Sequence, residues 1–214
     1  MMEATGSVPT RTQSKYSGMH TIIGFLALLV LALPASAPRT ERLFLAGGCY
    51  WGVEAVFEHV RGVRSAVSGF ARPAGDTTLS GRKLRHTSFV ETVRIDYDPD
   101  KVSYEQLLEI FFTVAHDPTQ VDRQGPDVGS QYRSMVFVAG ADQARVVDSI
   151  SGQLRAKRTY TSPIVTEIGL MDRFREAPED QQDYVVKNPQ APYVRNHDIP
   201  MLVKLQRSYP SLYH

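Results

Sequence analysis

The fold of this 214-residue chain is decided by one short stretch, Gly47-Gly48-Cys49-Tyr50-Trp51-Gly52. The stretch contains the only cysteine and the only tryptophan of the sequence. Before it, the apolar run over residues 42–46 predicts a strand. After it, apolar residues recur at helical spacing, at Val53, Val56, Phe57 and Val60. Cys49 is therefore predicted to lie where a strand turns into a helix.

The predicted position of Cys49 favours chemistry at its sulfur. Free backbone N–H groups and the helix dipole favour an anion at a helix start. A cysteine there can have its pKa lowered from ~8.5 into the range ~3.5–7.5, so a thiolate at neutral pH is one expectation. The other is a buried, inert thiol, because free cysteine is among the most buried residue types. The spacing alone leaves both readings open.

Composition sets the class of protein. The length suits one domain, or one domain with an appendage, and 42% hydrophobic residues are enough for a core. The net charge of +1 gives no indication of a nucleic-acid partner. One cysteine excludes an intramolecular disulfide, and the six histidines show no zinc-ligand spacing. We expect a monomer without a metal site.

The N-terminal segment over residues 1–37 is predicted to be a signal peptide or an N-terminal anchor. Its apolar run over residues 21–33 is short for a membrane span, which needs ~20 residues, and suits a signal-peptide core. Ala35-Ser36-Ala37 offers a cleavage site, but the proline after it is unfavourable for a signal peptidase, so an uncleaved anchor is the alternative. We therefore expect an exported protein, periplasmic or membrane-anchored, with a single catalytic domain over residues 38–214. A true start at Met19 would make a cytoplasmic location the alternative.

The other elements follow from periodicity and turn residues. The patterns predict a helix and its exit over 53–67, a loop over 68–88, a strand over 89–97, a helix over 104–115, a polar loop over 116–130, a strand over 131–138, a helix over 142–158, a strand over 164–168, a short helix over 179–187 and an irregular tail. The loop over 116–130 is too long and too polar for a plain connector, which is typical of a functional or disordered segment.

Glu91 lies on the otherwise apolar face of the predicted strand over 89–97. Burial of a carboxylate is costly unless it is paired, and desolvation raises its pKa from ~4.3 by as much as ~4 units. A neutral carboxyl near neutral pH can donate a proton. The alternatives are an ion pair with an arginine such as Arg133, or an exposed strand end.

Four blocks of sequence follow one another in a fixed order within about residues 42–200. They are Gly48-Cys49-Tyr50-Trp51-Gly52, Glu91-Thr92-Val93-Arg94-Ile95 with Tyr97-Asp98-Pro99, His116-Asp117-Pro118-Thr119-Gln120, and Gln124-Gly125-Pro126-Asp127-Val128-Gly129-Ser130-Gln131-Tyr132-Arg133-Ser134. Together they resemble the A-type peptide methionine sulfoxide reductases. The resemblance implies an α/β (α+β) domain of ferredoxin-like plait type, with a mixed sheet, helices packed on it and an irregular C-terminal tail.

The resemblance also implies an activity, the reduction of methionine S-sulfoxide, in proteins or free, to methionine. This is an oxidoreductase reaction of protein repair after oxidative stress. By resemblance Cys49 attacks the sulfoxide sulfur and Glu91 protonates the oxygen, which leaves a sulfenic acid on Cys49. Many members of the family carry resolving cysteines near the C-terminus, whereas this chain has none. An external thiol, such as thioredoxin, a glutaredoxin or glutathione, is therefore expected to reduce Cys49, with no other cofactor.

Substrate-binding roles are implied for four residues. Tyr50 and Trp51 form the methyl pocket, Tyr132 donates a hydrogen bond to the sulfoxide oxygen, and Asp127 orders the loop and its waters. The family usually has a phenylalanine at the position of Tyr50, and the aromatic ring is kept. It usually also has a second sulfoxide-binding tyrosine before the acid, but residues 71–88 contain none. A degenerate protein that only binds oxidised methionine is therefore an alternative.

A Cys-His hydrolase is a second alternative, since a cysteine at a helix start needs only a base to become a nucleophile. His116 and His197 are the candidate bases. Neither lies in a recognisable hydrolase motif, and replacement of both by asparagine would separate a hydrolase from a reductase.

Overall fold

The computed structural model of the chain describes Gly6 and residues 39–79, 81 and 83–214. The chain divides into two units, Met1–Ser36 and Ala37–His214, and the helices and strands below belong to the second. The predicted signal peptide or anchor over residues 1–37 lies outside the described residues, apart from Gly6. None of the helices in the described ranges is both long and apolar enough to cross a bilayer.

Strands and helices alternate along the second unit. The strands are β1 (Glu41–Gly47), β2 (Val63–Pro73), β3 (Val90–Tyr97), β4 (Arg123–Gln124), β5 (Asp127–Val128), β6 (Ser134–Phe137), β7 (Glu167–Gly169) and β8 (Met171–Glu176). The helices are α1 (Tyr50–Glu58), α2 (Tyr104–Ile110), α3 (Ala141–Ala156), α4 (Tyr184–Lys187) and α5 (Ile199–Ser208). One π-helical turn, Phe111–Ala115, continues α2, and a second, Val194–Asp198, leads into α5.

The main sheet has the strand order β7-β6-β1-β3-β2-β8. The β6–β7 pair is parallel and the other neighbouring pairs are antiparallel. Its four central strands and the helices α1 and α2 follow the order βαββαβ, which is the ferredoxin-like plait. The predicted fold class is confirmed, including the mixed character of the sheet.

The larger core lies between the sheet and helices α1, α2 and α3. Leu45 pairs with Val93 and Leu43 with Ile95 across β1 and β3, and all four side chains are buried in this core. Because strand side chains alternate between faces, Glu91 shares the face of Val93. Glu91 therefore lies on the helix-covered side of the sheet, beside the end of β1.

Two of the predicted connecting segments were partly wrong. The segment predicted as the exit of a helix and the start of a loop is β2, a long strand between β3 and β8. Its face pattern is hidden because several of its residues are small and both of its faces are partly covered. Beyond β2, most of the described residues from 74 to 88 are exposed, as expected of a loop, although Leu84 is only 6% exposed and joins a second buried cluster with Val90 and Met135.

The prediction of an irregular C-terminal tail was also wrong, because the tail contains α5. The tail contains several prolines, which usually interrupt helices, but Pro200 lies in the first turn of that helix. A missing N–H costs nothing there, since the first turn has no intrahelical acceptor for it. The tail packs α5 and the π-helical turn before it against α1, where Cys49 lies.

Candidate active site

Cys49 is the N-terminal cap of α1, at the predicted junction of strand and helix. Gly48 has a φ of +100°, and a Cβ at this position would lie 2.5 Å from the side chain of Gln124. Glycine is needed here for both reasons, the left-handed backbone and the close approach of the loop. The turn therefore directs Cys49 toward the loop over residues 116–130, and its side chain is only partly buried.

The environment of Cys49 raises its pKa, so the expectation of a lowered pKa was wrong. Desolvation is the main cause, and the negative charges of Glu91, Asp198 and Asp127 add to it. The nearby backbone N–H of Trp51 acts in the opposite direction, but it is outweighed. The thiol is thus protonated in the resting site, and an anion at this sulfur requires a partner that takes or shares the proton.

Glu91 is the carboxyl nearest to such a role. Its Oε2 accepts a hydrogen bond from the backbone N–H of Tyr50 at 3.1 Å, directly after Cys49 in the chain. Burial raises the pKa of Glu91 to about 7, against the lowering effect of that hydrogen bond. The alternative ion pair is not formed, since Arg133 pairs with Glu167 at 3.5 Å and caps backbone carbonyls. Glu91 is therefore half-neutral near pH ~7, next to the only thiol.

An aromatic wall adjoins Cys49. Trp51 stacks on Tyr184, with ring centroids 3.7 Å apart and planes 7° from parallel, and meets Tyr193 edge-on at 5.7 Å. Tyr50 is 7% exposed and packs edge-on against Phe70 at 5.6 Å. Tyr184 and Tyr193 were missed by the sequence analysis, because only the folded tail brings them to Trp51.

Asp127 and Tyr132 come from the loop over residues 116–130 and the turn that follows it. Asp127 lies on β5 and accepts a hydrogen bond from the hydroxyl of Tyr193. Burial raises the pKa of Tyr132, and the charges of Glu91, Asp127 and Cys49 add to the effect. The six predicted site residues therefore belong to one neighbourhood, with Tyr50 and Trp51 on the first turn of α1.

Of the two candidate bases, His116 has both ring nitrogens engaged away from Cys49, whereas His197 lines the pocket at Cys49. His116 is 5% exposed, and its two ring nitrogens bond the carbonyl of Phe111 at 2.9 Å and the hydroxyl of Ser134 at 2.7 Å. Burial lowers the pKa of His116 to about 4. His197 is half-buried and packs against Tyr193.

A pocket of about 210 Å³ opens beside Cys49. Its lining includes Gln124, Pro126, Tyr193, Asp198 and Met201. Within the part of the chain that the structure describes, no group of three or more His, Cys, Asp or Glu side chains is arranged to hold a metal ion.

Comparison with known proteins gives the family. The sequence model of one protein family, described as peptide methionine sulfoxide reductase, matches residues 41–211 of this chain. The peptide methionine sulfoxide reductase MsrA 2 of Mesorhizobium japonicum is 43% identical over 183 residues, which cover 83% of this chain and 92% of the relative. The chain belongs to the peptide methionine sulfoxide reductase family. It is an oxidoreductase that reduces methionine sulfoxide, and not a hydrolase.

Solved structures agree with this assignment. The methionine sulfoxide reductase A of Corynebacterium diphtheriae matches with a TM-score of 0.56 and 32% identity, over 72% of this chain and 77% of that chain. The reduced form of Mxr1 from Saccharomyces cerevisiae matches with a TM-score of 0.58 and 27% identity, over 72% of this chain and 88% of that chain.

Proposed function

We propose that Cys49 is the nucleophile and Glu91 the proton donor in the reduction of methionine S-sulfoxide. The observation that carries this proposal is the half-buried Glu91 carboxyl, which accepts a hydrogen bond from the N–H directly after Cys49 and has a pKa raised to about 7. The sulfoxide oxygen is a poor leaving group unless it is protonated. Neutral Glu91 donates a proton to that oxygen as the Cys49 sulfur attacks the sulfoxide sulfur. The oxygen passes to Cys49 as a sulfenic acid and methionine leaves.

The raised pKa of the Cys49 thiol makes its proton part of this step. The pair of Cys49 and Glu91 can hold one shared proton in two ways, as a thiol beside a carboxylate or as a thiolate beside a neutral carboxyl. The first form predominates in the resting site, because the ordinary pKa of a thiol lies above that of a carboxyl and burial raises both. Transfer of the thiol proton to Glu91 would therefore create the nucleophile and the acid together, and the N–H of Trp51 would stabilise the sulfur anion.

The aromatic wall is the proposed methyl pocket, and Tyr132 the proposed donor to the sulfoxide oxygen. Trp51 presents a large apolar face whose orientation is fixed by the stack on Tyr184. Tyr50 fixes the start of α1 through its own packing against Phe70. Asp127 holds Tyr193, which meets Trp51 edge-on, so its role is to order this wall and its loop. A methyl on one side and hydrogen-bond donors on the other suit a sulfoxide.

The reductant of the sulfenic acid is proposed to be an external thiol, supplied by thioredoxin, a glutaredoxin or glutathione. The support is the single cysteine, since an intramolecular disulfide needs two. We also propose that the protein is exported, on the basis of the apolar run and cleavage site within residues 1–37. Cell fractionation would test the location: recovery of the full-length chain in the cytoplasm alone would refute it.

The mechanism is tested by a stereospecific assay with dithiothreitol as the reductant. The S-sulfoxide should be turned over and the R-sulfoxide should not, and Cys49→Ser should abolish the activity. After one turnover without reductant, mass spectrometry should find one added oxygen atom on Cys49. Methionine formation with an unmodified thiol, or full activity of Cys49→Ser, would refute the proposed nucleophile.

A further inference from the structure

Asp198 is a second buried carboxyl beside Cys49 that the proposed chemistry of sulfoxide reduction does not use. It is 1% exposed, and its Oδ2 has no hydrogen-bond partner among the described residues. A Cβ added at Gly52 would lie 2.6 Å from its Oδ1. The carboxyl therefore lies against the first turn of α1, the helix that Cys49 caps.

An unpartnered buried oxygen is unusual, because burial of a polar group without a hydrogen bond is unfavourable. Asp198 lines the pocket that opens at Cys49, whereas Glu91 lies outside this lining. Burial raises the pKa of Asp198 to about 7, and the charge of Asp127 adds to the effect. The carboxyl is therefore partly neutral near pH ~7, and it stands in the wall of the pocket with one oxygen that no described residue satisfies.

We propose that Asp198 is the catalytic acid of the regeneration step, in which an external thiol reduces the sulfenic acid of Cys49. The inference rests on the proposed function, since it requires that sulfenic acid to form. A thiolate entering the pocket attacks the Cys49 sulfur, and the bond from that sulfur to the hydroxyl oxygen breaks. Asp198 donates its proton to this oxygen, which leaves as water. The products are a mixed disulfide at Cys49 and the Asp198 carboxylate.

A second thiolate then attacks the mixed disulfide and releases Cys49, while the external thiols are oxidised to a disulfide. Asp198 recovers its proton from the incoming thiol or from solvent. A separate acid is useful here because Glu91 has just given its proton to the sulfoxide oxygen. Hydroxide is a poor leaving group, so protonation of the departing oxygen contributes ~10²–10⁴-fold to the rate.

The experiment separates the two half-reactions in the full chain. Methionine formed without reductant measures the first, and the loss of dimedone-reactive sulfenic acid after addition of a thiol measures the second. Asp198→Asn keeps the shape of the side chain and removes the proton. It should retain the burst of methionine and slow regeneration by ~100-fold or more. Asp148→Asn, the same change on the exposed face of α3, is the matched control and should change neither.

Gly52→Ala is a second variant that keeps the acid but displaces it, since the added Cβ overlaps Oδ1. This variant should also regenerate slowly. Glutathione and reduced thioredoxin are used in separate arms, and slow regeneration in both assigns the acid to the shared chemistry of the thiol.

Three outcomes overturn the proposal. One is equal slowing of the burst and of regeneration in Asp198→Asn, which would mean a structural role or a role in sulfoxide reduction. Another is normal regeneration in both variants. The third is slowing in one thiol arm alone, which would mean a docking contact. Absence of a burst in the wild-type protein would instead refute the proposed function, so the two failures are distinguishable.

Discussion

Glu91→Gln tests the central assignment, because it removes the proton of the acid and little else. The amide oxygen of glutamine can still accept the N–H of Tyr50, which Glu91 accepts at 3.1 Å. We therefore expect the start of α1 to keep its geometry, at a cost of ~1 kcal/mol for exchanging a charged acceptor for a neutral one. A large loss of rate would then report on proton donation.

The expected magnitude follows from the raised pKa of Glu91. With a pKa of about 7 rather than 4.5, roughly half of the carboxyl is neutral near neutral pH, instead of about one part in 300. Burial thus increases the fraction of the acid form about 150-fold. Removal of a positioned acid costs ~10²–10⁴ in rate, which is about 2.7–5.4 kcal/mol in the activation free energy.

The assay is the burst of methionine from S-sulfoxide in the absence of reductant, followed by rapid quenching and chromatography. This readout excludes the regeneration step. Glu105→Gln is the control, since Glu105 is exposed in the first turn of α2 and should leave the burst unchanged. A positioned acid supplies ~10²–10⁴ in rate. If Glu91→Gln lost less than about tenfold of the wild-type burst rate, the assignment of Glu91 as the acid would therefore be refuted.

Three further predictions concern the packing around the site. Burial raises the pKa of Glu54 to about 7, so its neutral form favours folding. Relative to Glu54→Gln, the wild-type free energy of unfolding should fall by up to about 3 kcal/mol as pH rises from ~4.5 through ~7; equal pH profiles in denaturant melts would contradict this. Tyr184→Leu should raise the KM for the sulfoxide ~2–10-fold by removing the ring stacked on the indole, whereas Tyr184→Phe should not; an unchanged KM in Tyr184→Leu would exclude this wall from the methyl pocket. Gly48→Ala should destabilise the protein by ~2 kcal/mol or more and reduce the burst, because of its positive φ and the overlapping glutamine side chain. Gly152→Ala, in open space on α3, should instead stabilise the protein by ~1 kcal/mol, and a similar sign for both glycines in thermal melts would refute the argument.

The sequence predicted the central elements of the sheet because their side chains alternate strongly. From Val93 to Tyr97 the side chains of β3 alternate between buried and partly exposed as predicted, whereas Val90 and Thr92 on the other face are buried as well. By contrast, β8 is an edge strand of largely exposed side chains, so its sequence shows little hydrophobic pattern. Its partner β2 needs Gly69, since a Cβ there would lie 2.4 Å from the ring of Phe174. Such a requirement becomes visible only once the two strands are paired.

The same distinction holds within the site. Residues that lie close in sequence, such as Cys49 and Trp51, could be grouped from the motif. Three further residues reach the site because the C-terminal tail packs against α1. They are Tyr184, Tyr193 and Asp198, which lie about 140 residues after Cys49 in the chain. No periodicity in the tail distinguishes these side chains from its other polar and aromatic residues. Their contribution depends on long-range packing, which a local pattern does not contain.

The pKa of Cys49 shows how a correct placement led to a wrong electrostatic expectation. A helix N-terminus stabilises a negative charge by ~0.3–1 kcal/mol, which is less than one pKa unit at 1.36 kcal/mol per unit. Desolvation of a charged group costs several kcal/mol, and three carboxyls around the sulfur add repulsion. Desolvation therefore raises the pKa of the thiol by more than the helix N-terminus lowers it. A thiol kept protonated until a sulfoxide arrives is also less exposed to adventitious oxidation, since the thiolate is the reactive form. The acids that raise the pKa of the thiol are thus the same groups that can supply protons once chemistry begins.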